Sequence, residues 1–302
     1  MRDHPAAPPE DVARSAFERQ RTRDTKPGRA GHTVSYTGRR VLDLSESDIG
    51  ISTGAYAGLP LAAALERIAE LAPAAEVFSY GHHSLVRPGN AAAVAASGLP
   101  FSVHGPFTHF EFATSSGAKH RAAVDLHRRH MEVAAELGAF LYIVHPDLHR
   151  RPRPWNPRIA AALERSFDEL RGLQDLFRLD VAVENMPLSR QSHFTRPGDI
   201  DLRGLGLVLD TGHAALTGTL AEWLSEPRAS LRHVHLHDNA GLGDGDRHQP
   251  VGSGVVDVAP VLAAARAAGA TIALELTNEA DVLASLEYLR IHDLMPAARH
   301  ID

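Results

Sequence analysis

The stretch VHLHDNAGLGDGDRHQPVGSG, running from Val234 to Gly254, decides how the rest of the chain is read. It opens as a strand, breaks into a glycine-rich loop, and carries His235, His237, Asp238, Asp246 and His248 along a short length of backbone. Imidazoles and carboxylates collected where a strand ends are the donors that a divalent metal ion takes. The 302-residue chain has no cysteine, so disulfides, thiolate nucleophiles and thiolate ligands are excluded. Any metal must be held by His, Asp and Glu.

Outward from that loop, short apolar runs alternate with Ala/Leu/Glu/Arg-rich helical patterns from Val41 onward, which signals repeated βα units on a parallel sheet. Strands are predicted at Asp48–Ser52, Ala75–Ser79, Pro100–His104, Phe140–His145, Asp180–Glu184, Leu205–Asp210, Leu231–His237 and Thr271–Glu275. Helices are predicted at Leu59–Leu71, Ala91–Ser97, Lys119–Leu137, Pro157–Leu176, near Leu220–Leu224, at Val258–Ala268 and at Ala280–Ile291. The return after the fifth strand is short and irregular. Eight strands in roughly 260 residues fit an α/β fold of the (β/α)8 TIM barrel type. An open doubly wound sheet is the structural alternative. It is disfavoured because polar residues close six successive strands, and only in a barrel do those ends ring one mouth.

Composition agrees. Hydrophobic residues make up 44% and aromatics only 6%, which suits helices packed on a parallel sheet. No apolar run approaches the roughly 18 residues of a membrane span. The opening MRDHPAAPPEDVARSAFERQ lacks the apolar region of a signal peptide, so the default expectation is a soluble cytoplasmic protein. Net charge is −6, unevenly spread: residues 1–40 hold nine Arg/Lys against five Asp/Glu, a net of +4, which leaves −10 for the remainder. An acidic body is a poor match to a nucleic-acid backbone. Residues 1–40 are read as a flexible basic N-terminal extension with one short helix near Pro9–Arg21, and residues 41–302 as the barrel.

The strand ends carry the chemistry. His104 closes strand three in SVHGPF, His145 strand four in YIVHPD, and Glu184 strand five in VAVENMP. Asp210 closes strand six, with His213 following in LVLDTGHA; strand seven supplies His235, its loop adds Asp246 and His248, and Glu275 closes strand eight in IALELT. A single histidine at such a place is ordinarily just hydrogen-bonded, and a lone Asp is often a helix cap. Several carboxylates buried beside several imidazoles are costly without a compensating charge.

This ordered set resembles the xylose isomerase-like barrel superfamily, and within it the endonuclease IV branch (AP endonuclease family 2). The resemblance spans about Asp48 to Leu289. It implies a trinuclear-type ligand set of His104, His145, Glu184, Asp210, His213, His235, Asp246, His248 and Glu275, with one to three divalent ions, Zn2+ or Mn2+, per chain. Two chemistries follow from it. In the isomerase or epimerase type, one metal on Glu184, Asp210, His235 and Glu275 polarises a carbonyl and hydroxyl, and the catalytic pair Glu184 and Glu275 moves protons at the adjacent carbon. In the nuclease type, Glu184 bridges two metals that activate water against a phosphodiester or phosphate ester.

The ligand set tilts toward more than one metal, and the loops tilt back. TGAYAGLP, after strand one, has no basic residue, and the body holds only one lysine, Lys119. Phe107 stands where the nuclease family has an aromatic that enters DNA, but Thr108 after it is a poor wedge. The run HLHDNAG…DRHQPVGSG looks more like sugar phosphate isomerase/epimerase members. Tyr80, His82, His83, Arg87 and Phe107 are candidate substrate contacts, as are His237 and Asp238, which can also support the ligands. His149, Arg150, Arg151 and Arg153 with Trp155 form a basic loop, and His233 is expected to be buried in the sheet.

The expected function is a metal-dependent isomerase or epimerase of a small sugar, polyol or sugar phosphate, with no nucleic-acid or membrane partner. The alternative is multi-zinc hydrolysis of a phosphate ester, abasic-site DNA included. A ligand-binding barrel without turnover ranks third.

Overall fold

A computed structural model of the chain describes residues 49–107, 110, 112–146, 157–187, 192–226 and 229–295. Eight parallel strands close into a barrel in sequence order, each hydrogen-bonded to the next and the last to the first. They are β1 (Ile49–Ser52), β2 (Ala75–Phe78), β3 (Phe101–His104), β4 (Leu141–Val144), β5 (Val181–Glu184), β6 (Gly206–Asp210), β7 (Leu231–Leu236) and β8 (Thr271–Leu274). The helices among the described residues are α1 (Leu61–Leu71), α2 (Asn90–Ser97), α3 (Gly117–Glu136), α4 (Pro157–Phe177), α5 (Thr211–Thr217), α6 (Leu220–Ser225), α7 (Val258–Ala268) and α8 (Glu279–Ile291).

The barrel matches the expectation from sequence, with strand ends shifted by a residue or two. One element is new. Where a helix was expected near Leu220–Leu224, two short helices follow β6, and the first, α5, starts directly on the strand's last residue. Asp210 caps it by accepting from the His213 backbone N–H at 2.7 Å. The segment TGHAALTG is too short and glycine-bounded for helical periodicity to reveal it. The predicted Pro9–Arg21 helix, the basic loop at 149–153, Trp155 and Thr108 lie outside the described residues. No described helix is long and apolar enough to cross a membrane.

Strand alternation sorts the side chains into two layers. One set, including Ile51, Val77, Val103, Val183, Leu209, Val234 and Leu274, belongs to the large core shared with the helices. On α1, Leu61, Ala64, Leu65 and Ile68 supply the i, i+3, i+4, i+7 stripe that meets it. The other set points into the barrel. There Leu141, Ile143, Ala182 and Val208, on β4 to β6, form a small apolar cluster against which Phe140 packs. The rest of the interior is polar: Glu76, Ser102, His104, Glu184, Asp210, His233 and His235 are all buried. A contact between His235 on β7 and Glu76 on β2, at 3.2 Å, crosses this interior, because those strands are not neighbours.

Helix α3 buries three histidines of its own, and none joins that layer. His127 meets the Tyr142 hydroxyl at 3.0 Å, His120 meets Ser166 at 3.1 Å, and His130 reaches Ser84 at 3.2 Å. Burial, with the nearby imidazoles of His130, His145 and His104, lowers His127 to about 3, so its ring is a neutral packing element.

Gly105, directly after β3, is where the backbone passes closest to Tyr142. A Cβ there would stand 2.6 Å from the Tyr142 hydroxyl and 2.9 Å from the Ile143 carbonyl. Gly105→Ala is therefore expected to cost about 1–3 kcal/mol through overpacking. Gly58→Ala, where a Cβ meets nothing within 4 Å, is the control. Urea melts of both variants check this; equal midpoints would mean that Tyr142 yields freely.

Candidate metal centre

The centre is built where β3 to β8 end. His104, Glu184 and Asp210 are the last residues of their strands, and His235 is the penultimate residue of β7. His145 and Glu275 follow β4 and β8 directly. His213 enters on the first turn of α5, and Asp246 and His248 arrive on the loop after β7.

That loop folds back on itself. Asp238 and Gln249 exchange backbone hydrogen bonds at 2.9 and 2.8 Å. The Asp238 carboxylate accepts from the backbone N–H groups of Asn239, Gly252 and Val256, each at 3.0 Å. Gly254 is required here, because a Cβ would run into the Asn239 carbonyl and Asp238 Oδ1. Asn239 completes the arrangement: its Nδ2 donates to Asp246 Oδ1 at 3.2 Å and its Oδ1 accepts from the Arg247 N–H at 3.0 Å. The left-handed backbone at His248, φ 46°, turns that ring back toward the mouth.

Four groups of donor atoms result among the described residues, and within each the donors lie within 4.8 Å of one another; one, Glu76 with His233 and His235, lies buried inside the barrel, and three ring its mouth. The first is His104, His145 and Glu184; the second Glu184, Asp210, His235 and Glu275; the third His213, His237, Asp246 and His248. All nine candidates from sequence fall in these groups. His237 joins them: its Nε2 lies 3.0 Å from Asp210 Oδ2, and its ring stacks on His248 at 4.0 Å. Glu184 is common to two groups. Its Oε2 lies 3.3 Å from His104 Nε2, 3.2 Å from His145 Nε2 and 3.3 Å from His235 Nδ1.

The histidines are held by their far nitrogens, as ligating imidazoles are. Nδ1 of His104 donates to the Gly105 carbonyl at 2.9 Å, that of His213 to the Asn185 carbonyl at 2.8 Å, and that of His248 to the Glu275 carbonyl at 2.9 Å. Each ring thereby turns Nε2 toward the centre. Asn185 also clamps Asp210, its Oδ1 accepting from the Asp210 N–H at 2.7 Å. Nothing in the sequence pattern distinguished Asn185 and Asn239 from ordinary loop residues.

The electrostatics are those of a charge-dense buried cluster. Burial pushes the Glu184 carboxyl up, but the imidazoles of His145 and His235 overcome this and hold it well below the usual carboxylate range. Burial likewise opposes ionisation of Glu275, which His235 nevertheless draws down to about 2. Burial lowers His213 and His248, yet Asp210 and Asp246 raise His213 to about 10, and Asp246 with Glu275 raises His248 to about 9. A divalent cation meets the same carboxylates with positive charge and displaces those protons. The residues fit such an ion on a further ground: Glu184 Oε2, His235 Nδ1 and Glu275 Oε2 are buried and make no hydrogen bond.

The centre floors a cavity of about 260 Å3, whose walls include Phe78, Phe107, Met186, Pro187 and Leu276. Of the substrate contacts expected from sequence, Phe107 lines it, while Tyr80 stands 41% exposed beside Phe107, rings 5.1 Å apart. His83 is turned away: it is buried, with Nε2 bonded to the Leu59 carbonyl at 2.9 Å. His82 and Arg87 are exposed and do not line the cavity. Asp238 is occupied in holding its loop. His233 is buried in the sheet, as expected.

The raised histidines set a sign for pH dependence in metal-free protein. Their folded values lie above the ordinary ~6.5. The stability they contribute is therefore complete below ~6.5 and lost as pH climbs through about 9 for His248 and about 10 for His213. Chelator-treated protein should accordingly melt at lower temperature at pH 10 than at pH 7, and saturating zinc should flatten the difference. Thermal melts across that range check this; a flat metal-free profile would contradict it.

Comparison with known proteins agrees with this architecture. The sequence model of the xylose isomerase-like TIM barrel family matches residues 88–292. An uncharacterized protein of Methanocaldococcus jannaschii, MJ1311, is 28% identical over 203 residues, covering 62% of this chain and 68% of that protein. The probable endonuclease 4 of Mycobacterium ulcerans is 30% identical over 239 residues, covering 73% of this chain and 90% of that protein. Among solved structures, a D-tagatose 3-epimerase-like protein superimposes with a TM-score of 0.72 at 26% identity, over 82% of this chain and 97% of that one. The closed parallel barrel, the ring of donor groups at its mouth and these matches lead to one assignment: the chain belongs to the xylose isomerase-like TIM barrel family.

Proposed function

We propose that the chain is a metal-dependent isomerase or epimerase acting on a small sugar, polyol or sugar phosphate. One observation carries the reading: Glu184, Asp210, His235 and Glu275 converge, and Glu184 and Glu275 line a cavity of about 260 Å3 walled by Phe78, Phe107 and Leu276. That volume suits a monosaccharide-sized ligand. The similarity to a D-tagatose 3-epimerase-like protein supports the same substrate class.

The chain's own residues have definite roles in this reading. Glu184 Oε2 and Glu275 Oε2 lie 3.3 and 2.9 Å from the same nitrogen, His235 Nδ1, so two carboxylates border one point. One takes the proton from the carbon beside the carbonyl, and the other returns it. Phe107 and Phe78, with rings 5.3 Å apart, form an apolar wall against the sugar face and exclude water from the exchanging carbon. A divalent ion held by these four residues would supply polarisation of the substrate carbonyl and hydroxyl; further ions on the neighbouring groups would supply activation of water toward a phosphoryl centre.

Hydrolysis of a phosphate ester is the competing reading, and a specific observation favours it. Glu184 belongs to two donor groups, and His213, His237, Asp246 and His248 make a third. Single-ion proton transfer leaves the first and third groups without a role. The relationship to a probable endonuclease 4 points the same way.

Metal content of protein purified without chelator separates the two. One ion per chain with turnover of a ketose or polyol panel supports epimerisation; two or three ions with cleavage of phosphate esters or abasic DNA replaces it. Glu184→Gln and Glu275→Gln should each lower kcat by about 10²–10⁴-fold with the fold retained. Normal turnover in both would remove the site assignment. The double variant His104→Ala/His145→Ala should keep epimerase activity if one ion suffices and lose it if neighbouring ions take part.

A further inference from the structure

Three site histidines, His104, His213 and His248, are tethered by Nδ1 to backbone carbonyls and face the centre with Nε2. His235 is reversed. Its Nδ1 faces the centre, 2.9 Å from Glu275 Oε2 and 3.3 Å from Glu184 Oε2, and its Nε2 points down the barrel to Glu76 Oε2 at 3.2 Å. Glu76 lies on β2, in a stretch whose sequence, AEVF, reads as plain strand. We propose that Glu76, supported by His233, is the positioning residue that selects the ring orientation and tautomer of His235 and so sets the affinity of the centre for its metal ion.

The geometry supports this step by step. Glu76 is fully buried, and its Oε2 also receives the Ser102 hydroxyl at 3.2 Å and stands 3.2 Å from His233 Nε2. A carboxylate only accepts, and both His235 nitrogens face carboxylates, Nε2 that of Glu76 and Nδ1 those of Glu184 and Glu275. An ion at the centre would take the Nδ1 lone pair and leave the ring's one hydrogen on Nε2, held toward Glu76. His233 is itself pinned by Thr271, its Nδ1 lying 2.5 Å from Oγ1, and its ring meets that of His235 edge-on at 5.3 Å. Glu76 is thus bonded from β3 by Ser102 and from β7 by His235, with His233 Nε2 close beside it. A buried carboxylate at that place would be destabilising by itself, so its partners must hold it. A backbone carbonyl orients an imidazole, and an anionic carboxylate in addition raises the electron density of the opposite nitrogen. This marks the ion held by His235 as the most tightly bound of those the centre can take.

The inference rests on the metal-centre reading, and the experiment separates the two. Zinc dissociation constants are measured by chelator competition on metal-stripped wild type, Glu76→Gln and Glu76→Asp, alongside metal-free melting temperatures. Glu76→Gln keeps the volume and an acceptor but removes the charge. It is expected to weaken the tightest zinc site about 10–100-fold, with partial recovery in Glu76→Asp and little change in metal-free stability. A wild type that binds no zinc overturns the metal reading and this proposal together. A wild type that binds zinc while a folded Glu76→Gln binds it equally well overturns this proposal alone. Nitrogen-15 imidazole spectra of zinc-loaded wild type require no variant: Nε2–H on His235 is the expected tautomer, and Nδ1–H overturns the assignment even where Glu76→Gln does not fold.

Discussion

The structure depends on one electrostatic constraint. Four carboxylates, Glu76, Glu184, Asp210 and Glu275, are buried inside one barrel together with His104, His145, His213, His233, His235 and His237. Burying any one of them without a partner would cost several kcal/mol. Together they are tolerable because each carboxylate faces imidazoles at about hydrogen-bond distance, and the rings of His104, His213 and His248 are fixed from behind by backbone carbonyls. Much of the apolar packing that usually fills such a barrel has been given up to make room, with a small cluster of Leu141, Ile143, Ala182 and Val208 remaining among the described residues. The large core between sheet and helices compensates.

This division of labour explains how the site is kept in register. Parallel strands end at one mouth, so a residue at a strand's last position is placed by the hydrogen-bond ladder. His104, Glu184 and Asp210 inherit their positions in this way. Asp246 and His248 cannot, because they lie on a loop. That loop is held by the Asp238 carboxylate, Asn239 and the close approach at Gly254. Ladder-placed ligands make up the first two donor groups, while the third depends largely on the loop and on α5. Its Asp246 and His248 side chains are also the more open, 27% and 21% exposed.

The centre's chemistry follows from its wall as much as from its donors. Phe78, Phe107, Met186, Pro187 and Leu276 exclude water over carboxylates that would otherwise be strongly hydrated. In such surroundings charged donors act more strongly on a bound group. Proton transfer beside a carbonyl and attack on a phosphoryl centre both profit from this, which is why one barrel mouth serves both chemistries across the family.

By itself the sequence determined the closed eight-stranded barrel and the convergence of His104, His145, Glu184, Asp210, His213, His235, Asp246, His248 and Glu275. For the strand-end residues the physical reason is local: short apolar runs make buried strands, and a polar residue at such an end has only the mouth to face; His213, Asp246 and His248 joined the set through the family resemblance. What only the tertiary structure decided is how these residues are shared and supported. Glu184 stands between two groups because β3, β4, β5 and β7 meet across the barrel, and His237 joins the third because its ring stacks on His248. His83 left the mouth for the Leu59 carbonyl, and helix α5 formed because Asp210 caps it. Glu76 stayed invisible because its partners, His233 and His235, lie on the seventh strand while it lies on the second. No sequence window spans that separation, and only barrel closure brings the two strands within 3.2 Å.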